Sequence, residues 1–260
     1  TGRQALAAVG STTALINMFV NLFIGISLGA NVLAARFFAA KKEREMSETV
    51  HTAIAFALVS GIGMAFIGVA FARTALELMG TPDDVIQLSA LYMRLYFCGM
   101  PFFMLYNYGA AILRAIGDTK RPLLFLVIAG VANVALNLLL VIVFHLGVAG
   151  VAIGTIISQM ISSILVLRCL CKAEASYRLH FSKLSIKGVY MKQIFKVGIP
   201  AGIQSTVINF SNVLLQSSVN SFGSTAMAGY TAANNIFGFL YASANSITQA
   251  CMSFTSQNYG

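Results

Sequence analysis

Amides and hydroxyls at helical spacing inside long apolar runs are the residues of this sequence best placed to do chemistry. In hydrocarbon a polar side chain needs another helix, an ion or a wet cavity. At the angular step of an α-helix, Asn17, Asn21 and Asn31 share one face of the first run, and Asn133 and Asn137 lie one turn apart. Thr155, Ser158, Gln159 and Ser162 form a stripe, as do Ser205, Asn209, Asn212, Gln216 and Asn220. The last run carries Asn234, Tyr241, Asn245, Thr248 and Gln249. Interhelical hydrogen bonds, worth about 0.6 kcal/mol each, explain one or two such residues per helix. A whole polar side fits a shared cavity better. The cavity-lining candidates are therefore Asn17, Asn21, Asn31, Gln159, Asn209, Asn212, Gln216, Asn234, Tyr241, Asn245 and Gln249. Neutral oxygens of this kind hold cations or hydrogen-bond solutes; they are not nucleophiles. No Asp or Glu sits mid-run, His51, His145 and His180 are scattered, and there is no nucleotide-binding glycine loop. The expectation is a binding and transport protein with no catalytic residue, no cofactor and no metal centre.

The elements that carry these residues are apolar. The chain is 58% hydrophobic and 10% charged, with mean hydropathy +0.80, whereas a soluble domain carries about 25% charged residues. Runs centred on 12–35, 50–72, 95–113, 122–144, 148–167, 198–220 and 231–254 are each about the 20 residues needed to span a bilayer. The fold class is all-α, a polytopic transmembrane bundle of about seven spans. Most Lys and Arg fall in alternate connections: Arg36, Lys41, Lys42 and Arg44; then Arg114, Lys120 and Arg121; then Arg168 through Lys196. The second connection carries Glu77, Asp83 and Asp84 instead. This bias places the basic loops in the cytoplasm and the protein in the cell membrane. The net charge of +9 thus reads as topology, with lipid and not nucleic acid as partner. Cys98, Cys169, Cys171 and Cys251 have neither metal-ligand nor disulfide spacing and are expected as buried, reduced thiols. The long basic connection at 169–197 mixes Leu179, Phe181, Leu184, Ile186, Val189 and Ile194 with its charges, as a linker along the membrane surface would. Gly198 and Pro200 are expected to open the next helix. A start at Thr1 and a stop at Gly260, just after an apolar run, suggest a fragment.

The connection Leu113-Arg114-Ala115-Ile116-Gly117-Asp118-Thr119-Lys120-Arg121-Pro122 has a clear physical logic. Gly117 permits a tight turn, Asp118 and Thr119 can cap, and Pro122 can start a helix. It resembles the loop motif of the multidrug and toxic compound extrusion (MATE) family, at Arg114, Gly117, Asp118, Thr119 and Pro122. Three further segments are similar to that family in the same order: 147–155, Gly198-Ile199-Pro200, and Ser256-Gln257-Asn258-Tyr259-Gly260.

The resemblance implies twelve helices in two six-helix lobes, of which this chain holds the second to eighth. Residues 1–168 would belong to the first lobe, 169–197 to the inter-lobe linker and 198–260 to the start of the second lobe. It implies export of organic, often cationic, compounds by antiport with sodium ions or protons, through rocking of the lobes, by a protein that is monomeric at full length. The family's first-lobe cation site uses an acid on the first helix and two residues one turn apart on the fifth. Asn133 and Asn137 match that pair, and Asn107 is a further candidate for the same cavity. Some members carry Asp where this chain has Asn137. A lipid-linked oligosaccharide flippase of the same superfamily is the alternative, disfavoured because no Lys or Arg lies deep in a run. A membrane scaffold or receptor is a third class.

Overall fold

Gly99-Met100-Pro101 interrupts the third apolar run, because proline has no N–H to donate and its ring collides with the preceding helical turn. What composition presents as one span over 95–113 is therefore two helices, α3 (Asp83–Cys98) and α4 (Met100–Ala115), bent by 45°. Gly99 also serves packing: a Cβ there would lie 2.9 Å from Gln159 Oε1 on a neighbouring helix.

The computed structural model describes residues 2–78, 83–173, 175–220 and 224–259, with side chains outside the description at 2–11, 13–15, 18, 78, 83–85, 208, 209, 212–220, 224–232, 234, 235 and 239. The other helices are α1 (Gly2–Ala39), α2 (Glu43–Leu78), α5 (Lys120–Leu138), α6 (Gly147–Cys171), α7 (Gly188–Asn220) and α8 (Ser224–Asn258). No strand occurs among the described residues. α1, α2, α5 and α6 each contain a stretch long and apolar enough to cross a membrane, and the bent α3–α4 pair makes a fifth. At 33 and 35 residues, α7 and α8 are long enough to do so by rise per residue. The chain is thus a multi-pass membrane protein; among the described residues five spans are long and apolar enough to cross, counting the bent pair as one, and α7 and α8 bring the helical rods to about the seven expected.

α4 forms the centre. Met100, Met104, Tyr108, Ile112 and Leu113 are fully buried, against Ile54 and Val50 of α2 and Leu170 of α6. The aromatic and Met-rich character of this region is mainly packing. By contrast α5 touches the bundle along a thin seam, and Leu123, Leu124, Val127, Val131 and Val134 are exposed, as on a surface solvated by lipid. The cysteines are free, but Cys98 and Cys251 are exposed rather than buried.

The linker departs from expectation at its far end. α7 begins at Gly188, so Pro200 lies inside the helix and does not open it. The reason is packing of the first turns: Met191 and Ile194 are buried in the bundle and Tyr190 meets Phe37 edge-on. Segment 172–187 is docked on the start of α2. Lys187 Nζ lies 2.6 Å from a Glu48 carboxylate oxygen, Thr52 Oγ1 donates to the Ser185 carbonyl at 3.3 Å, and Leu179 is buried. Of the linker's apolar residues, Phe181, Ile186 and Val189 remain exposed.

Buried His51 supplies the most specific contact. Its Nδ1 is 2.6 Å from the Ser47 carbonyl, so that nitrogen carries the proton, and its Nε2 accepts from the His180 backbone N–H at 3.1 Å. His51→Phe keeps the volume but removes the acceptor. Amide exchange at His180 should then rise about tenfold, given the worth of one part-buried hydrogen bond; unchanged exchange by mass spectrometry would show the linker held by Leu179 and Lys187 alone. Burial pushes the His180 imidazole pKa down, and Arg178 and Lys183 nearby push it further. A depressed histidine pKa means the docked form disfavours the proton. Its contribution is complete above the ordinary histidine value and is lost as pH falls through the lower one, so acidification should lower the protection factor of the same segment, measured against the intrinsic exchange rate at each pH.

Candidate functional site

The Arg114–Pro122 connection is organised by backbone chemistry. Gly117 takes φ +88°, the left-handed region that favours glycine. Its N–H bonds to the Arg114 carbonyl and that of Asp118 to the Leu113 carbonyl, both at 3.0 Å, which is the Schellman ending of α4. Asp118 Oδ1 then accepts the Arg121 backbone N–H at 3.1 Å, so Asp118 rather than Thr119 satisfies the first turn of α5. Pro122 is buried, and its carbonyl accepts the Tyr106 hydroxyl at 3.0 Å. This turn fixes α5 beside α4.

A cavity of about 510 Å³ opens between α1, α4, α5 and α6. The stripe on α6 (Thr155, Ser158, Gln159, Ser162) and Asn107 and Asn133 all line it, together with Phe103, Tyr106 and Arg114. Asn133 Nδ2 donates to Ser158 Oγ at 3.3 Å and Asn137 Nδ2 donates to Asn133 Oδ1 at 3.1 Å. Asn137 Oδ1 is buried without a hydrogen-bond partner, one of two such side-chain atoms among the described residues. Asn137 packs directly on Gly154, where any Cβ would fall on the amide oxygen. A π-helical turn, Leu139–Val143, follows immediately; such turns commonly occur at functional sites. An unpartnered carbonyl-type oxygen, beside a ladder of neutral amide and hydroxyl oxygens, can bind a hard cation. It has no ionisable carboxyl with which to hold a proton.

The other candidates are placed differently. Asn31 is buried at the junction of α1, α4 and α8, where it donates to the Ala111 carbonyl at 2.7 Å and accepts the Ser253 hydroxyl at 2.9 Å. Asn21 donates to the Asn17 carbonyl in its own helix, and Asn17 is exposed. Gln249 lines a second cavity, of about 560 Å³, between the α4–α5 turn and α8. Tyr241 and Asn245 are exposed, Tyr241 stacking on Phe237. The side chains of Asn209, Asn212, Gln216 and Asn234 lie outside those described. Sequence reading overlooked Gly154 and, above all, Arg114 as a cavity residue. The signal was present: Arg114 is seven residues after Asn107, two turns on and so on the same helix face.

The MatE family model matches residues 1–139 and 200–260. This chain belongs to the MatE family. It is 32% identical, over its whole length, to the probable multidrug resistance protein YoeA of Bacillus subtilis (strain 168), and 28% identical to the probable multidrug resistance protein YpnP of the same organism. It spans 58% of the length of each of these curated relatives. A crystal structure of a MATE in complex with MaD5 superposes with TM-score 0.89, covering 99% of this chain and 59% of that one at 22% identity. The fold is thus that of the MATE structure, and the candidate cavity lies among its packed helices.

Proposed function

We propose that this chain is the substrate- and ion-binding part of a secondary active exporter of small organic compounds, coupled to sodium entry and working by rocking of two lobes. The observation that carries the reading is the α4–α5–α6 cavity, with the unpaired Asn137 Oδ1 above the Asn133–Ser158 ladder. Sodium is favoured over a proton by what the described lining offers, neutral amide and hydroxyl oxygens at Asn107, Asn133, Thr155, Ser158, Gln159 and Ser162. Residues 1–168 form the first lobe, 169–197 the linker, and 198–260 the beginning of the second. The basic loops face the cytoplasm and the protein acts as a monomer in the cell membrane. The relatives' multidrug names support small organic substrates. The flippase alternative draws on Arg114 alone, and a single guanidinium is a poor match for a lipid pyrophosphate.

The test uses the complete gene product that contains this chain, expressed in pump-deficient bacteria at matched membrane levels. Ethidium accumulation should fall with the wild type in sodium medium. The fall should be lost with Asn133→Ala and Asn137→Ala. Export that survives both changes, or that does not depend on sodium, would remove the ion site from α5.

A further inference from the structure

We propose that Arg114 makes the α4–α5–α6 cavity a receptor for an aromatic carboxylate, so that the transported compounds include organic anions. The proposal rests on the export reading above and names the substrate class of that same site. Arg114 lies in the last turn of α4, at the foot of the cavity, and it lines the second cavity beneath α8 as well. It is partly buried and takes part in none of the ion pairs recorded among the described residues. Its ionisable neighbour is the Tyr106 phenol, whose hydroxyl hydrogen is already committed to the Pro122 carbonyl. Among the described residues no Asp or Glu lines either cavity. Arg114 is the charged residue in the described lining of both, so its guanidinium fork meets a ligand with no carboxylate of that lining beside it.

Desolvated cations are costly unless a counter-charge meets them, and a guanidinium fork matches a carboxylate through two parallel hydrogen bonds. Around that fork stand Phe103 and Tyr106, for an aromatic body, and Asn107 and Gln159, as further hydrogen-bonding groups. The volumes of about 510 and 560 Å³ fall in the range of small-molecule sites. Beside the guanidinium itself a carboxylate is favoured over a cationic group, whereas the Asn133–Asn137 pair proposed for sodium offers neutral amide oxygens on α5. Arg114 also suits the helix end, since a cation there faces the carbonyl dipoles. That role needs charge but no fork, and lysine would serve it.

The experiment is direct binding to the purified complete gene product, followed by fluorescence anisotropy. The probes are fluorescein, an aromatic carboxylate, and an esterified rhodamine of the same ring skeleton, a cation. The wild type should bind fluorescein more tightly than the rhodamine. Arg114→Gln should weaken fluorescein about tenfold, the value of one charge-assisted contact, and leave the rhodamine within about twofold. Arg114→Lys, which keeps the helix-end charge, should give an intermediate loss for fluorescein alone. It is decisive by itself if Arg114→Gln fails to give monodisperse protein. No fluorescein binding by the wild type, or equal effects of Arg114→Lys on both dyes, would overturn the proposal. Failure of the export reading would show separately, as unchanged ethidium accumulation in cells.

Discussion

Gly202→Leu should abolish the folded bundle, or lower its stability by about 3 kcal/mol or more, because overpacking against backbone leaves no soft neighbour to move. Two pairs of glycines, each four residues apart, meet where α7 crosses α1. They are Gly25 and Gly29 on one helix, Gly198 and Gly202 on the other. A Cβ on Gly198 would lie 2.6 Å from Ile26 Cα, and one on Gly202 would lie 2.7 Å from the Leu22 carbonyl oxygen. Any Cβ on Gly25 would fall on the Gly202 backbone, and on Gly29 upon the Ile194 carbonyl. In lipid, helices gain little from apolar burial and depend on close backbone approach, so this crossing holds α7 to the rest of the chain. Gly63 is the control. A Cβ there meets nothing within 4 Å, and Gly63→Ala should be neutral, or stabilising by about 0.5–1 kcal/mol through helix propensity. Thermal unfolding and monodispersity in detergent read both. A Gly202→Leu protein as stable as the wild type would mean that α1 and α7 do not cross this closely.

Asn137→Asp, one turn beyond the cavity residue Asn133, should change sodium binding more than a substitution of any residue that lines the cavity. It keeps the shape of the side chain and so the fit against Gly154, but it replaces the amide N–H that meets Asn133 Oδ1 with a second, ionisable oxygen. In its ionised form the new carboxyl should tighten sodium about tenfold or more. In its protonated form it should bind no better than the wild type. Sodium titration by calorimetry at two pH values separates the two regimes. An affinity that is unchanged at both would remove Asn137 from the ion site, and with it the role given to its unpaired oxygen.

Much of this site was legible because it is local. The spacing of Asn133 and Asn137 by one turn already placed their amides side by side, and the structure brings them to 3.1 Å. The stripe on α6 faces the cavity as its period required. Gly117 ended α4 in the left-handed turn that its type permits. Hydropathy and loop charge were enough for the seven rods, since each span satisfies its own backbone and leaves its apolar length in the sequence.

What the chain alone could not give depends on which helices meet. Nothing in Asn31 distinguishes a cavity amide from one that ties α1, α4 and α8; only their junction does. Pro200 reads as a helix start until Met191 and Ile194 are found buried, which carries α7 back to Gly188. The two glycine pairs of the α1–α7 crossing lie more than 150 residues from each other along the chain, and their spacing has meaning only once the two backbones touch. Arg114 looked like a loop residue of a basic connection, and the Schellman turn turned it into the charged group of two cavities. Short-range pattern determined the helices and the faces they present; tertiary packing decided which faces enclose space, because a cavity belongs to several helices at once and is written in none of them.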